Sequence, residues 1–118
     1  MKNKGGLLMS STRNTFRSIE NEIESMKEQI VSRYAPKKIV LFGSQAKGTA
    51  TKNSDIDLCI IKNTANKRDL LTDMYLNIES SKPFDLILYT ENEWYRCIID
   101  TTSFAYQINN NGIIVFER

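Results

Sequence analysis

Histidine is absent from this chain, and cysteine and proline are each present only twice. Without histidine there can be no Ser-His or Cys-His nucleophilic pair, and most zinc sites are excluded as well. Any catalysis must rest on carboxylates, hydroxyls, lysines or a metal ion. Cys59 and Cys97 are too few for a disulfide framework or a cysteine metal cluster. Their places inside a predicted strand and helix read as reduced, buried side chains. Long apolar runs are also missing: none approaches the roughly 20 residues of a membrane helix. Lys2, Lys4 and Leu7-Leu8-Met9 make too short an apolar region for a secretory signal. A cytoplasmic protein with no membrane contact is expected.

With hydrophobic residues at 41% and charged ones at 25% of 118 residues, the composition fits one globular domain with a real core and leaves no room for two. The net charge of +2 hides an asymmetry. Residues 1–52 hold ten lysines and arginines against four glutamates, whereas residues 53–118 hold six against ten acids. An anionic ligand near Lys37, Lys38, Lys47 and Lys52 would fit the basic half, with a solvated surface as the plainer account of most of those lysines.

Residues 1–12, with Gly5-Gly6 and Ser10-Ser11-Thr12, show no sustained period and read as a flexible tail before a single domain of 13–118. From about Asn14, Phe16, Ile19, Ile23, Met26 and Ile30 recur at helical spacing until Pro36 ends the run. This predicts an amphipathic helix lying on a sheet, with a dimer or partner seam as the weaker alternative. Ile39-Val40-Leu41-Phe42 reads as a strand buried on both faces. Asp55 to Ile61 begins as an alternating, half-buried strand with Asp55 and Asp57 on its polar face. Asn66 and Asp69 can cap a helix bearing Leu70, Leu71, Met74, Tyr75 and Ile78, closed by Pro83. Phe84 to Tyr89 is a third strand with Asp85 at its beginning. The intervening helix makes a parallel crossover the expected link, which puts Asp85 at the same sheet edge as Asp55 and Asp57. Thr90 and Glu93 fit a capping box. The helix after them is expected to bury Trp94, Ile98, Thr101 or Thr102, Ala105 and Ile108, and to run to Asn109-Asn110-Asn111-Gly112. Ile113 to Phe116 is left as an edge strand or a segment docked on the core.

Chemistry concentrates between Gly43 and Leu58. Gly43 has no side chain to block a phosphate, and Ser44 offers a hydroxyl and an N–H at a helix start, so this pair is expected to hold a triphosphate. Gly48-Thr49 rules out a Walker A loop. Lys47 and Lys52 could reach phosphate, or simply face solvent. Asp55 and Asp57, two residues apart on a strand, project the same way and can share one or two divalent cations, with Asp85 as a third carboxylate. Mg²⁺ would neutralise the three acids and bridge nucleotide phosphates. In two-metal transfer one ion serves the attacking hydroxyl and the other the departing pyrophosphate. Asp55 and Asp57 are then shared ligands, and Asp85 the further ligand or the base for the acceptor hydroxyl.

The order strand, Gly43-Ser44, polar loop, Ser54-Asp55-Ile56-Asp57-Leu58, helix and strand-borne Asp85 resembles the minimal nucleotidyltransferases (MNT) of the DNA polymerase β-like superfamily. The resemblance covers nearly everything from about residue 14 onward. It implies an α+β fold, a small mixed sheet packed by helices, with Asp55, Asp57 and Asp85 catalytic and metal-binding. Gly43, Ser44, Lys47 and Ser54 would hold ATP, with two Mg²⁺ ions. One departure stands out: related antitoxin-type sequences often carry arginine after Gly-Ser and near Gly48, where this chain has Gln45, Ala46 and Lys47. By resemblance, and because no acceptor domain follows the core, the expected activity is AMP transfer from ATP to a tyrosine of a HEPN ribonuclease toxin. The chain would be the toxin's antitoxin, with homo-oligomers allowed. The alternatives are an antitoxin that only masks its partner, or transfer to a small molecule such as an aminoglycoside. Nucleic-acid binding is disfavoured by the small basic excess.

Overall fold

The computed structural model describes residues 18–118. The first helix, α1 (Ile19–Tyr34), starts where the Ser18 hydroxyl accepts from the Asn21 N–H at 3.1 Å. It ends where Ala35 turns left-handed ahead of Pro36. The expected start near Asn14, Phe16 and the tail of 1–12 lie outside the described residues. Then follow β1 (Lys38–Phe42), a one-turn helix α2 (Ser44–Lys47), β2 (Ile56–Ile61), α3 (Lys67–Asn77) and β3 (Phe84–Tyr89). The chain continues through α4 (Glu91–Cys97), α5 (Phe104–Asn111) and β4 (Ile113–Glu117).

The four strands form one mixed sheet in the order β3-β2-β1-β4. β2 and β3 are parallel through the α3 crossover, with Asp57 beside Asp85. β1 lies antiparallel to both β2 and β4. The terminal segment is thus an edge strand, paired by its backbone to β1.

Alternation along the strands divides the core into two layers. Ile39, Leu41, Ile56, Leu58, Ile60, Leu86 and Leu88 face α1 and α3, where they meet Met26, Ile30, Met74 and Ile78. Val40, Cys59 and Ile61 point the other way, under Trp94, Ala105 and Ile108 of α4 and α5. β2 therefore departs from the expected half-buried strand: its second face is polar only at Asp57 and is buried at Cys59 and Ile61. The reason is that α4 and α5 cover one end of that face and stop short of the carboxylates.

The α3 cap is as expected, Asn66 Oδ1 accepting from Asp69 N–H at 3.1 Å, but the helix ends at Asn77, before Pro83 is reached. The Thr90–Glu93 capping box is present. The single long helix expected after it is two. Asp100 Oδ1 accepts the Thr102 N–H and hydroxyl at 3.0 and 2.7 Å, while the Ser103 hydroxyl donates to Cys97 O at 2.6 Å and accepts from Tyr106 N–H at 3.0 Å. These side chains compete for backbone groups that a continuous helix would use. Thr101 and Thr102 are consequently exposed instead of buried.

Glu22 also falls outside the simple pattern, being 2% exposed. Its carboxylate accepts from the Ser81 N–H at 3.0 Å and hydroxyl at 2.6 Å, tying α1 to the turn that leads into β3. No described helix is long and apolar enough to cross a membrane.

Candidate active site

Three residues share a row across the sheet: Phe42 opposite Asp57 on β1 and β2, and Asp57 beside Asp85 on β2 and β3. Partners across strands project to the same side. Here that is the side of α4 and α5, beyond the end those helices cover. Asp57 is half-buried and Asp85 exposed. Asp55 lies just before β2 and is exposed too, one residue outside the strand expected to contain it.

Gly43 joins this row sterically. Its φ of 77° is one that side-chain-bearing residues rarely adopt. A Cβ there would collide with Oδ2 of Asp57 and lie 3.3 Å from its Cγ. Glycine is favoured by the left-handed backbone, and the turn leaving β1 also runs against the end of a carboxylate side chain. In α2, the N–H groups of Ala46 and Lys47 both reach Gly43 O at 3.1 Å, and Gly48, also at positive φ, closes the turn by donating to Ser44 O. Ala46 leans into the α1/α3 core. Gln45 Nε2 spans to Ser54 O at 3.5 Å. The Ser54 hydroxyl accepts from Thr51 N–H at 2.9 Å and so fastens the polar loop.

The carboxylates act on one another. Burial, then Asp85, then Asp55 hold the Asp57 carboxyl above its ordinary range. A set of oxygen donors that repel each other suits a hard divalent cation, which would relieve that repulsion. As the side chains stand, no three His, Cys, Asp or Glu among the described residues are gathered closely enough to hold one.

The four expected cations do not act together. Lys38 pairs in register with Ile61 at the opposite end of β1 from Gly43; its Nζ lies 3.6 Å from Glu117 and 5.9 Å from the Trp94 ring centre. Lys37 is bound to the same end through its N–H to Ile61 O at 2.8 Å. β1 runs between the two ends, so only Lys47 and Lys52 are left on the carboxylate side. Cys59 is no nucleophile, since burial pushes its thiol up to about 12.

Beside Gly43 opens a cleft of about 300 Å³, floored by Phe42, Ile108 and Gly112. Lys47 stands on the α2 wall, and Phe104, Gln107 and Asn111 form the α5 wall. Sequence reasoning assigned no role to these α5 residues. Their only local signal is a four-residue spacing of two amides on a helix otherwise read as structural.

A mixed sheet with a Gly-Ser turn pressed against a carboxylate row defines a small α+β domain whose polar residues gather at one sheet edge. Residues 23–107 match the nucleotidyltransferase domain family, and the chain belongs to it, within the polymerase β-like superfamily. Among solved structures it resembles a protein of Sulfolobus solfataricus whose nucleotidyltransferase name is provisional. That likeness has a TM-score of 0.62 at 20% identity and covers 100% of this chain and 94% of the other, so it bears on the fold alone. No curated protein matches the chain.

Proposed function

We propose that the protein is a Mg²⁺-dependent enzyme of the MNT type that moves AMP from ATP to a tyrosine hydroxyl of a partner protein, a HEPN ribonuclease toxin, and so acts as its antitoxin in the cytoplasm. The observation that carries the reading is the row Gly43–Asp57–Asp85, held on the part of the sheet face that α4 and α5 leave uncovered.

Gly43 and Ser44 receive the phosphate tail, because the left-handed turn at Gly43 carries no side chain and lies against Asp57. Lys47 adds the nearby positive charge, and Ser54 keeps the loop before Asp55 in place. Asp55, Asp57 and Asp85 would hold Mg²⁺, two ions by family resemblance, which when bound offsets triphosphate charge and makes the acceptor hydroxyl a better nucleophile. The acceptor oxygen bonds to the α-phosphorus as the bond to pyrophosphate breaks, and its proton passes to the exposed Asp85 carboxylate. A protein acceptor is supported by β4, an edge strand with Ile113 and Ile114 about half exposed, which offers backbone and apolar surface to another chain.

Incubation with the partner, ATP and Mg²⁺, followed by intact mass measurement of the partner, should show the gain of one AMP. An unmodified partner in the presence of folded protein would overturn the reading. One alternative is neutralisation by binding alone, which the exposed edge of β4 would equally serve. Replacing Asp55 and Asp57 by Asn separates the two, because masking survives the change and transfer does not.

A further inference from the structure

The cleft between α2 and α5 is unused by the roles assigned so far. We propose that it seats the nucleoside half of the triphosphate, with Gln107 and Asn111 reading the edge of an adenine base; this rests on the nucleotidyl-transfer reading above.

The cleft has the polarity of a nucleotide. At one end stand Gly43 and Lys47, where the phosphate tail is placed. Among the described residues Lys47 is the only charged side chain in the lining, and away from it the walls turn to aromatic carbon and neutral amide. The volume of about 300 Å³ is at the lower bound for small-ligand pockets and suits a nucleoside better than a macromolecular segment. Phe104 packs edge to face on Phe42 with ring centres 5.6 Å apart, which fixes the orientation of an aromatic side chain that is still 52% exposed. A base entering the cleft would cover it.

The amides supply the discrimination. Gln107 and Asn111 are one helical turn apart, and Asn111 Nδ2 donates to Gln107 Oε1 at 3.3 Å. That bond leaves a donor, Gln107 Nε2, and an acceptor, Asn111 Oδ1, without use in it, on two residues that line the cleft. Such a pair complements the adjacent acceptor and amino donor of adenine, the base that Asn and Gln commonly recognise. Guanine and uracil present a carbonyl where adenine has its amino group, and would leave the acceptor unmatched. Cytosine offers the same acceptor and amino donor and is set apart by its smaller ring, which covers less of Phe104.

The experiment is equilibrium binding of ATP, GTP, CTP, UTP and inorganic tripolyphosphate, each with Mg²⁺, to the wild-type chain and to Gln107→Ala, Asn111→Ala and Phe104→Ala. Gln107 and Asn111 are exposed, so their truncation should spare the fold, which circular dichroism would verify. The wild type should prefer ATP to GTP and UTP, with CTP the nearer competitor. Each amide variant should lose about tenfold in ATP affinity and level the four nucleotides, while tripolyphosphate binding stays unchanged. Magnetisation transfer between the base protons and the Phe104 ring should be seen in the wild type. If tripolyphosphate and ATP bind but all three variants keep wild-type affinity and selectivity, the base lies elsewhere, and the proposal fails while nucleotidyl transfer stands. If the variants lose only partner modification, the cleft takes an acceptor side chain and the proposal is again overturned. If neither ATP nor tripolyphosphate binds the wild type, the underlying reading falls with it.

Discussion

Gly43 and Asp57 meet where the turn leaving β1 runs against a carboxylate. Gly43→Ala would add a methyl group at a φ of 77° and against Oδ2 of Asp57. It should cost about 1–3 kcal/mol in urea unfolding and abolish nucleotide binding with it. Asp57 behaves oppositely. Its carboxylate is half-buried and repelled by Asp85 and Asp55, so Asp57→Asn in metal-free buffer should raise Tm, by roughly 1–3 °C because solvent screens much of the repulsion. The same variant should lose transfer activity, a trade of stability for function at one atom pair. Both residues were singled out by sequence, Gly43 because nothing else allows close phosphate approach and Asp57 by its spacing from Asp55. Their contact with each other was not legible, since it depends on Phe42 standing opposite Asp57 across the sheet.

Capping motifs were the most legible feature among the elements, because a cap is a local contract between residues three apart. In α4, Glu93 accepts from Thr90 N–H at 2.9 Å and pairs with Lys67 Nζ at 2.9 Å, which links α4 to α3. These partners hold its carboxyl below the ordinary range, the Thr90 N–H first. A depressed carboxyl contributes stability above its ordinary value and loses it as pH falls through the depressed one. Glu93→Ala should therefore cost about 1 kcal/mol at neutral pH, and the gap from wild type should close in acid. Urea melts at the two pH values would check this, and a gap that widened in acid would refute it. The break between α4 and α5 was not read, although Asp100-Thr101-Thr102-Ser103 carried its signal. The helical period of Trp94, Ile98, Ala105 and Ile108 outweighed a run of side chains that bind their own backbone. Glu22 was missed for a different reason: its partner Ser81 is fifty-nine residues away.

For the whole molecule, the two-layer core leaves one end of one sheet face open, and the candidate site lies there. Ligand that binds only the folded state must stabilise all of it. ATP with Mg²⁺ at about one hundred times Kd should add about 2.7 kcal/mol, seen as a rise in Tm that chelation reverses. A variant with Asn at positions 55 and 57 should show little of that rise, and an equal rise would mean that Asp55 and Asp57 hold no ion. Strand polarity explains the location. β1 ends where β2 and β3 begin, so the Gly-Ser turn and the acids that start the next two strands meet at one edge.

The sequence by itself determined the first three strands, the Asn66 and Thr90 caps, the Gly43-Ser44 turn and the acids at the heads of β2 and β3, because each depends on neighbours a few residues away. The family resemblance drawn from that order was sound at the level of the nucleotidyltransferase domain. Only the tertiary structure decided the antiparallel place of β1 and the cleft beneath α5. Those depend on which strand edges pair and how far α4 and α5 reach along the sheet, and no local pattern encodes either.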